Sequence, residues 1–387
     1  MGSSLASPGP AAGQPQGPPA AAPRKPAPLK ALTGLRCFAA VNIVLFHFSN
    51  PDWFGVMAPV VNSGFISVSY FILLSGFVLG YNYNDRARQG QLDVKRFYIA
   101  RFTRIYPIYL LSILLSLGNL PQEWGSHTHA MYWAGIVLTP LMLQGWIPAI
   151  ATFLNTPAWT MSAEAFYYFT FPWLAKRKKP TRIGPYLWKM AGIWGLGVLP
   201  GALYMVFNPD GIPHPDRYSY GIWLWALKYT PYAHVASFIF GVMLANLNQL
   251  IDRTARIRIW LGIGGFAAIY FLLTLGSAVP YALIHDGLLM PLFGCIVLGL
   301  AGDNELSHAL GARPLVFVGE ASYCLYLLHF NMWNLLHGSH ILARLGLLRF
   351  DPWISYLLLI GMALLALHYI EKPAQRRLRN WMHAVTQ

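Results

Sequence analysis

The chain has 387 residues, of which 56% are hydrophobic and only 11% are charged, and its mean hydropathy is +0.43. This composition is too apolar for an ordinary soluble domain and predicts a polytopic membrane protein of the all-α class. The formal net charge is +14, but the basic residues lie in short segments between apolar stretches, where they orient a membrane protein. We therefore expect no nucleic-acid partner.

The first 30 residues form a tail rich in proline, alanine and glycine, which cannot bury a hydrophobic core, and we predict that it is disordered. The first apolar stretch follows this tail and lacks a small-residue cleavage site, which favours a retained span over a cleaved signal peptide. A membrane domain is then predicted for residues 31–373, and a second basic tail for residues 374–387.

Apolar stretches of about the length that crosses a bilayer recur along the chain. They lie at residues 31–49, 64–82, 102–118, 131–148, 158–175, 190–207, 230–248, 257–276, 285–301, 315–337 and 353–370.

The basic connections 82–104 and 176–189 are both expected on the cytoplasmic side. The three apolar stretches between them must then supply two crossings, so one of the three does not cross. Stretch 131–148 is interrupted by proline and glycine, and we predict that it is re-entrant or interfacial. The pattern thus predicts about ten transmembrane helices, with both termini cytoplasmic.

Two ionisable residues, Arg36 and His47, lie within the first apolar stretch. On a helix, a spacing of eleven residues brings their side chains to within about 20° of one another, roughly 16 Å apart along the axis. Ionisable side chains in a lipid-embedded helix are costly unless they face protein or water, so the shared face indicates a functional cavity. A snorkelling arginine and a structural histidine are the alternative.

Arg101 and Arg104 are three residues apart at the predicted cytoplasmic boundary and share a helix face. An anion such as phosphate could bridge them, because arginine donors grip two oxygens at once. Ordinary positive-inside charge is the alternative. Further along, His127 and His129 have only Glu123 as a nearby carboxylate and lie on no predicted rigid element, so we expect no metal site.

Glu164 enters the fifth apolar stretch close to Trp159 and Ser162, at a predicted depth similar to that of His47. It is a candidate to orient the His47 imidazole, and an interfacial carboxylate bonded to backbone or to Ser162 is the alternative. His329 has a similar predicted depth and either lines the same cavity or is structural. Glu371, at the end of the last helix, is expected to pair with the cytoplasmic arginines.

Taken in chain order, these segments resemble the acyltransferase 3 family of integral-membrane O-acyltransferases. The resemblance covers about residues 30–380 and is strongest in a few short blocks. These blocks are 32–36 followed by His47, with ten residues between Arg36 and His47, then 71–77, Arg101 with Arg104, 159–164, 322–329 and 371–373. Within 62–70, serine stands where many relatives have a Gly-Val-Asp-like sequence, which puts a polar role for that turn in doubt.

The resemblance implies a multi-pass protein of the cell membrane that moves an acetyl group from acetyl-CoA, a co-substrate that is not permanently bound, to a carbohydrate or glycosylated acceptor. It implies that His47 is the general base, with Glu164 holding the imidazole and Arg36 stabilising negative charge. The donor phosphates would bind Arg101, Arg104 and Arg36. Further side chains are expected to line the cavity, namely Ser162, Trp159, Tyr326 and His329.

Two alternatives stay open. His47 could accept the acyl group covalently before passing it on. The intramembrane arginine, histidine and carboxylate could also belong to a transporter or flippase of a lipid-linked sugar or small metabolite, although we find no paired half-repeats of the kind common in transporters.

Overall fold

The computed structural model describes residues 27–385. Most of the tail predicted to be disordered, residues 1–26, lies outside the described residues. The described chain is helical, with short 3₁₀ turns and no β-strand in this range, so the predicted all-α polytopic bundle is confirmed.

The α-helices are numbered here in chain order, with the 3₁₀ turns left unnumbered. They are α1 (Lys30–Phe48), α2 (Ala58–Asn62), α3 (Ile66–Arg88), α4 (Val94–Leu115), α5 (Leu120–Ser126), α6 (His129–Leu138), α7 (Trp159–Ala175), α8 (Ile183–Phe207), α9 (Ile222–Tyr229), α10 (Pro231–Asn248), α11 (Ile257–Thr274), α12 (Tyr281–His285), α13 (Met290–Leu300), α14 (Glu305–Leu310), α15 (Arg313–Glu320), α16 (Ser322–Gly338), α17 (Ile341–Arg344), α18 (Trp353–Leu365) and α19 (Lys372–Val385).

Within residues 27–385, eight helical segments are long and apolar enough to cross a membrane. They are α1, α3, α4, α8, α9 with α10, α11, α12 with α13, and α18 with most of α19. Helices α7 and α16 have 17 residues each and pack among these segments. The count of ten crossings and the side of each terminus stay predictions. We call the end of the bundle where α1 begins and α3 finishes the basic end.

Helices α3 and α10 cross at very short distance through glycine. A Cβ atom on Gly76 would lie 2.1 Å from the carbonyl oxygen of Phe238, and one on Gly241 would lie 2.0 Å from that of Leu73. Small residues are common where membrane helices touch, because packing rather than hydrophobic transfer drives their association. This contact fixes the position of α3, which carries one wall of the cavities described below.

Helix α6 has ten residues, about 15 Å, which is too short to cross a hydrocarbon core of about 30 Å. The chain after it turns back through short 3₁₀ segments to the start of α7. Tyr106, halfway along α4, donates a hydrogen bond to the carbonyl of Pro140 at 3.4 Å, and the buried Gln144 amide donates to the carbonyl of Ala158 at 3.1 Å. This path is the one expected of a re-entrant segment.

Candidate active site

The helices enclose two adjoining cavities that together hold most of the predicted site residues. The first, the arginine cavity, has a volume of about 220 Å³ and lies towards the basic end. Its charged lining comes from three helices that are far apart in the sequence. The charged residues are Arg36 from α1, Arg101 and Arg104 from α4, and Glu164 from α7, and the Tyr168 hydroxyl lies beside them.

Arg104 is held by a buried ion pair with Glu371. Glu371 closes a π-helical turn, Ala366–Glu371, and its side chain is only 2% exposed. The same carboxylate accepts a hydrogen bond from Cys324 Sγ at 3.0 Å, and the Arg104 guanidinium lies 5.3 Å from the ring centre of Tyr323. The pairing expected for Glu371 is therefore present, and it already engages the charge of Arg104.

Arg36 and Arg101 differ from Arg104, because neither donates a hydrogen bond within the described part of the chain. The Nε of Arg101 is buried without a partner, and its guanidinium lies 6.0 Å from the ring centre of Tyr83. The one carboxylate lining this cavity, Glu164, accepts a hydrogen bond from Tyr168 at 2.9 Å. A cavity with unpaired guanidinium groups suits an anionic ligand.

The second, the histidine cavity, has a volume of about 230 Å³ and lies towards the opposite end. His47 and His329 stack across it with their ring centres 5.2 Å apart and their planes at 29°. His234 and His285 form another pair, with ring centres 5.8 Å apart. Aromatic side chains supply much of the remaining wall, including Trp159, Tyr218, Tyr229, Tyr281 and Tyr326.

The tautomer of His329 follows from its hydrogen bond. Its Nδ1 lies 2.6 Å from the carbonyl oxygen of Tyr326, and because a carbonyl only accepts, Nδ1 must carry the proton. In the neutral ring the lone pair is then on Nε2, which is buried and has no partner. The His47 ring is exposed to the cavity and makes no hydrogen bond with any described residue. Both rings can therefore receive a proton from a bound molecule.

The two cavities share part of their walls. Val68 from α3 and Tyr326 from α16 line both of them. The Tyr326 hydroxyl donates a hydrogen bond to the carbonyl of Pro157 at 3.3 Å, which ties the ring to the turn before α7. Val68 and Tyr326 thus belong to the wall between a cationic chamber and a chamber lined by imidazoles.

Three expectations for the site need correction. Glu164 does not contact His47, because α7 begins at Trp159 and five residues at 1.5 Å each place Glu164 about 7.5 Å deeper, in the arginine cavity. Arg36 is in that cavity as well, about 16 Å from His47 along α1, too far to stabilise charge there. Ser162 lines neither cavity, since it bonds Gln144 and the Gly145 amide, each at 3.1 Å.

The other predicted site residues lie as follows. Trp159 and His329 line the histidine cavity with His47, and Tyr326 lies in the shared wall. Sequence reasoning missed His234 and His285, although each is a histidine in an apolar stretch, the same signal that selected His47 and His329.

The chain matches the family described as "Acyltransferase domain" over residues 29–370. It is 30% identical over 336 residues to Acyltransferase MdmB of Streptomyces mycarofaciens, with 78% of each chain covered. It is 21% identical over 373 residues to O-acetyltransferase OatA of Staphylococcus aureus, with 90% of this chain and 57% of that protein covered. It thus spans little more than half of OatA. No solved structure matches it.

Proposed function

Because the chain belongs to the acyltransferase domain family and is a membrane-bound O-acyltransferase, we propose that it moves an acetyl group from acetyl-CoA to a hydroxyl of a carbohydrate or glycosylated acceptor. The observation that carries this proposal is the pair of cavities with one shared wall. An anionic donor and a hydroxyl-bearing acceptor need different surroundings, and the two cavities supply them side by side.

The donor binds from the basic end, which positive-inside charge makes cytoplasmic. Arg36 and Arg101 have no hydrogen-bond partner of their own in the described chain and serve the phosphate oxygens. Arg104, already paired with Glu371, adds positive charge and positions the start of α16 through Tyr323. Glu164 is the carboxylate that lines the same cavity. The pantetheine arm then carries the thioester to the wall at Tyr326.

The acceptor binds in the histidine cavity. His47 removes the proton from the acceptor hydroxyl as its oxygen attacks the thioester carbonyl carbon. The carbon–sulfur bond breaks, the acetyl group stays on the acceptor oxygen as an ester, and the CoA thiolate takes up a proton. His329 stacks on His47, and its Nε2 lone pair can accept a hydrogen bond from a neighbouring hydroxyl of the acceptor.

The test uses purified protein in lipid nanodiscs with acetyl-CoA and a panel of sugar acceptors, and it measures free CoA thiol together with acetyl ester. His47→Ala should abolish acceptor-dependent release while acetyl-CoA binding and the thermal midpoint stay unchanged. His308→Ala is the matched control, since this exposed histidine bonds only Asp303, outside both cavities. Normal turnover of His47→Ala would contradict the proposal.

Labelled acetyl-CoA given without an acceptor separates direct transfer from an acyl-enzyme. Direct transfer leaves no label on the protein, whereas a covalent route leaves acetyl on His47. Sugar uptake into vesicles without any CoA release would instead support a transporter.

A further inference from the structure

The histidine cavity holds two imidazoles that acid–base chemistry at His47 does not use. His234 lies in the first turn of α10 and His285 ends α12, and their side chains are 2% and 7% exposed. Both line the cavity, and buried polar groups without a partner are costly in a membrane protein. Their presence there therefore requires an explanation.

The orientation of His234 is fixed by its backbone partner. Its Nε2 lies 3.1 Å from the carbonyl oxygen of Lys228, so Nε2 carries the proton and donates it. In the neutral ring Nδ1 then holds the lone pair, and no described residue donates to it. Lys228 is itself anchored, because its buried ammonium donates to the carbonyls of Asp216, Arg217 and Ser219 at 3.3 to 3.4 Å.

The ring of His285 is also fixed, by stacking on Phe65 with centres 5.2 Å apart and planes at 7°. Its Nδ1 is buried and has no hydrogen-bond partner. The Nδ1 of His285 and the Nε2 of His329 are thus buried without a partner, and the Nδ1 of His234 has no partner on a ring that lines the cavity. Among the described residues, no group of three histidine, cysteine or acidic side chains is arranged to hold a metal ion.

Unpartnered lone pairs on two walls of one cavity call for a ligand with at least two hydroxyl donors. The walls between them are aromatic: Trp159 lies 5.1 Å from the ring centre of His234, and Tyr229 lies 5.8 Å from Trp159. Aromatic faces suit the C–H face of a sugar ring. The volume of about 230 Å³ is below the range of about 300–1,000 Å³ typical of drug-sized ligands, so one ring fits and the rest of an acceptor stays outside.

We propose that the His234–His285 pair is an acceptor subsite in which the Nδ1 of His234 accepts a hydrogen bond from a second, non-reacting hydroxyl of a pyranose ring. The reacting hydroxyl of the same ring then lies at His47. This inference rests on the proposed function and goes further, because it makes the acceptor a ring with two free hydroxyls and names the residue that selects it.

The test compares methyl glycosides of glucose, galactose, mannose and rhamnose, and then the monodeoxy analogues of the best acceptor, with CoA release as the readout. His234→Phe keeps the ring shape and removes the lone pair. It should raise the KM for the sugar about 10- to 100-fold and leave the KM for acetyl-CoA unchanged. His234→Gln, whose amide oxygen can accept, should restore part of the affinity, and His214→Phe, on an exposed loop, is the control.

The analogues provide the readout that a merely structural role would not give. In the wild type, removal of one hydroxyl other than the acetylated one should raise the KM as strongly as His234→Phe does. In the His234→Phe variant, removal of that same hydroxyl should no longer change the KM. Two results would refute the subsite. In the first, a folded His234→Phe variant keeps the wild-type KM for the sugar. In the second, the variant raises the KM for the parent sugar and for its deoxy analogues by the same factor.

Failure of the wild type to acetylate any methyl glycoside also refutes a pyranose subsite. The proposed transferase function is judged separately, by acceptor-dependent CoA release with other hydroxyl compounds. If His234→Phe is unstable, the wild-type deoxy series and His234→Gln still decide the matter.

Discussion

Replacing Glu371 by Gln tests whether Arg104 is a donor ligand or part of the scaffold. The Glu371 side chain is 2% exposed and that of Arg104 is 27% exposed, so the variant leaves a largely buried guanidinium without its counter-charge. Removing one partner of a buried pair costs about 3–5 kcal/mol. The partial exposure of Arg104 and the remaining amide acceptor favour the lower end, about 3 kcal/mol. At about 2 °C per kcal/mol, the thermal midpoint should fall by about 6 °C.

The measurement is thermal unfolding in detergent, combined with acetyl-CoA binding by titration. The double variant Arg104→Gln, Glu371→Gln should be more stable than Glu371→Gln alone, because it removes the isolated charge. Donor affinity should fall about tenfold or more in Arg101→Gln, which loses a free guanidinium, and by less in Arg104→Gln. The reasoning is refuted if the double variant is no more stable than Glu371→Gln, or if Arg104→Gln loses donor affinity with an unchanged midpoint.

Two further predictions concern packing. Gly76→Ala should destabilise the protein by about 1–3 kcal/mol, because its Cβ would meet the backbone of Phe238 at 2.1 Å. Gly192→Ala is the control, since a Cβ there has no neighbour within 4 Å and should not lower the thermal midpoint. Equal midpoints for the two variants would contradict the close crossing of α3 and α10. Tyr326→Trp adds bulk to the wall between the cavities and should block acetyl transfer while acetyl-CoA still binds. Undiminished transfer would show that the acetyl group takes another path.

Helical periodicity and the count of spans were enough to predict several neighbours. Arg36 and Arg101, which the family resemblance assigned to the donor phosphates, lie on different helices and both line the arginine cavity. His47 and His329 were matched by depth, and they stack in the structure. Depth follows from residue number along a helix, because each residue adds 1.5 Å, and it is the coordinate that a single sequence reports best.

The rotation of each helix and the positions of its breaks were harder to predict. Glu164 was matched to His47 by depth, but His47 is the penultimate residue of α1, whereas Glu164 lies five residues after the start of α7 at Trp159 and is therefore deeper in the bundle. His234 and His285 lie where two apolar stretches break, between α9 and α10 and between α12 and α13. Only tertiary packing brings those breaks against α1, so no spacing in the sequence links them to His47.

The wall made by Val68 and Tyr326 has an electrical consequence. A membrane voltage falls mainly across the least conducting layer, and where water enters both chambers that layer is the wall to which these two side chains belong. Moving one elementary charge across this wall changes the free energy by about 2.3 kcal/mol per 100 mV. A dicarboxylic acyl group such as succinyl carries a negative charge, and with the basic end on the negative, cytoplasmic side, as proposed, the voltage assists its outward passage. Transfer of a neutral acetyl group is independent of the voltage.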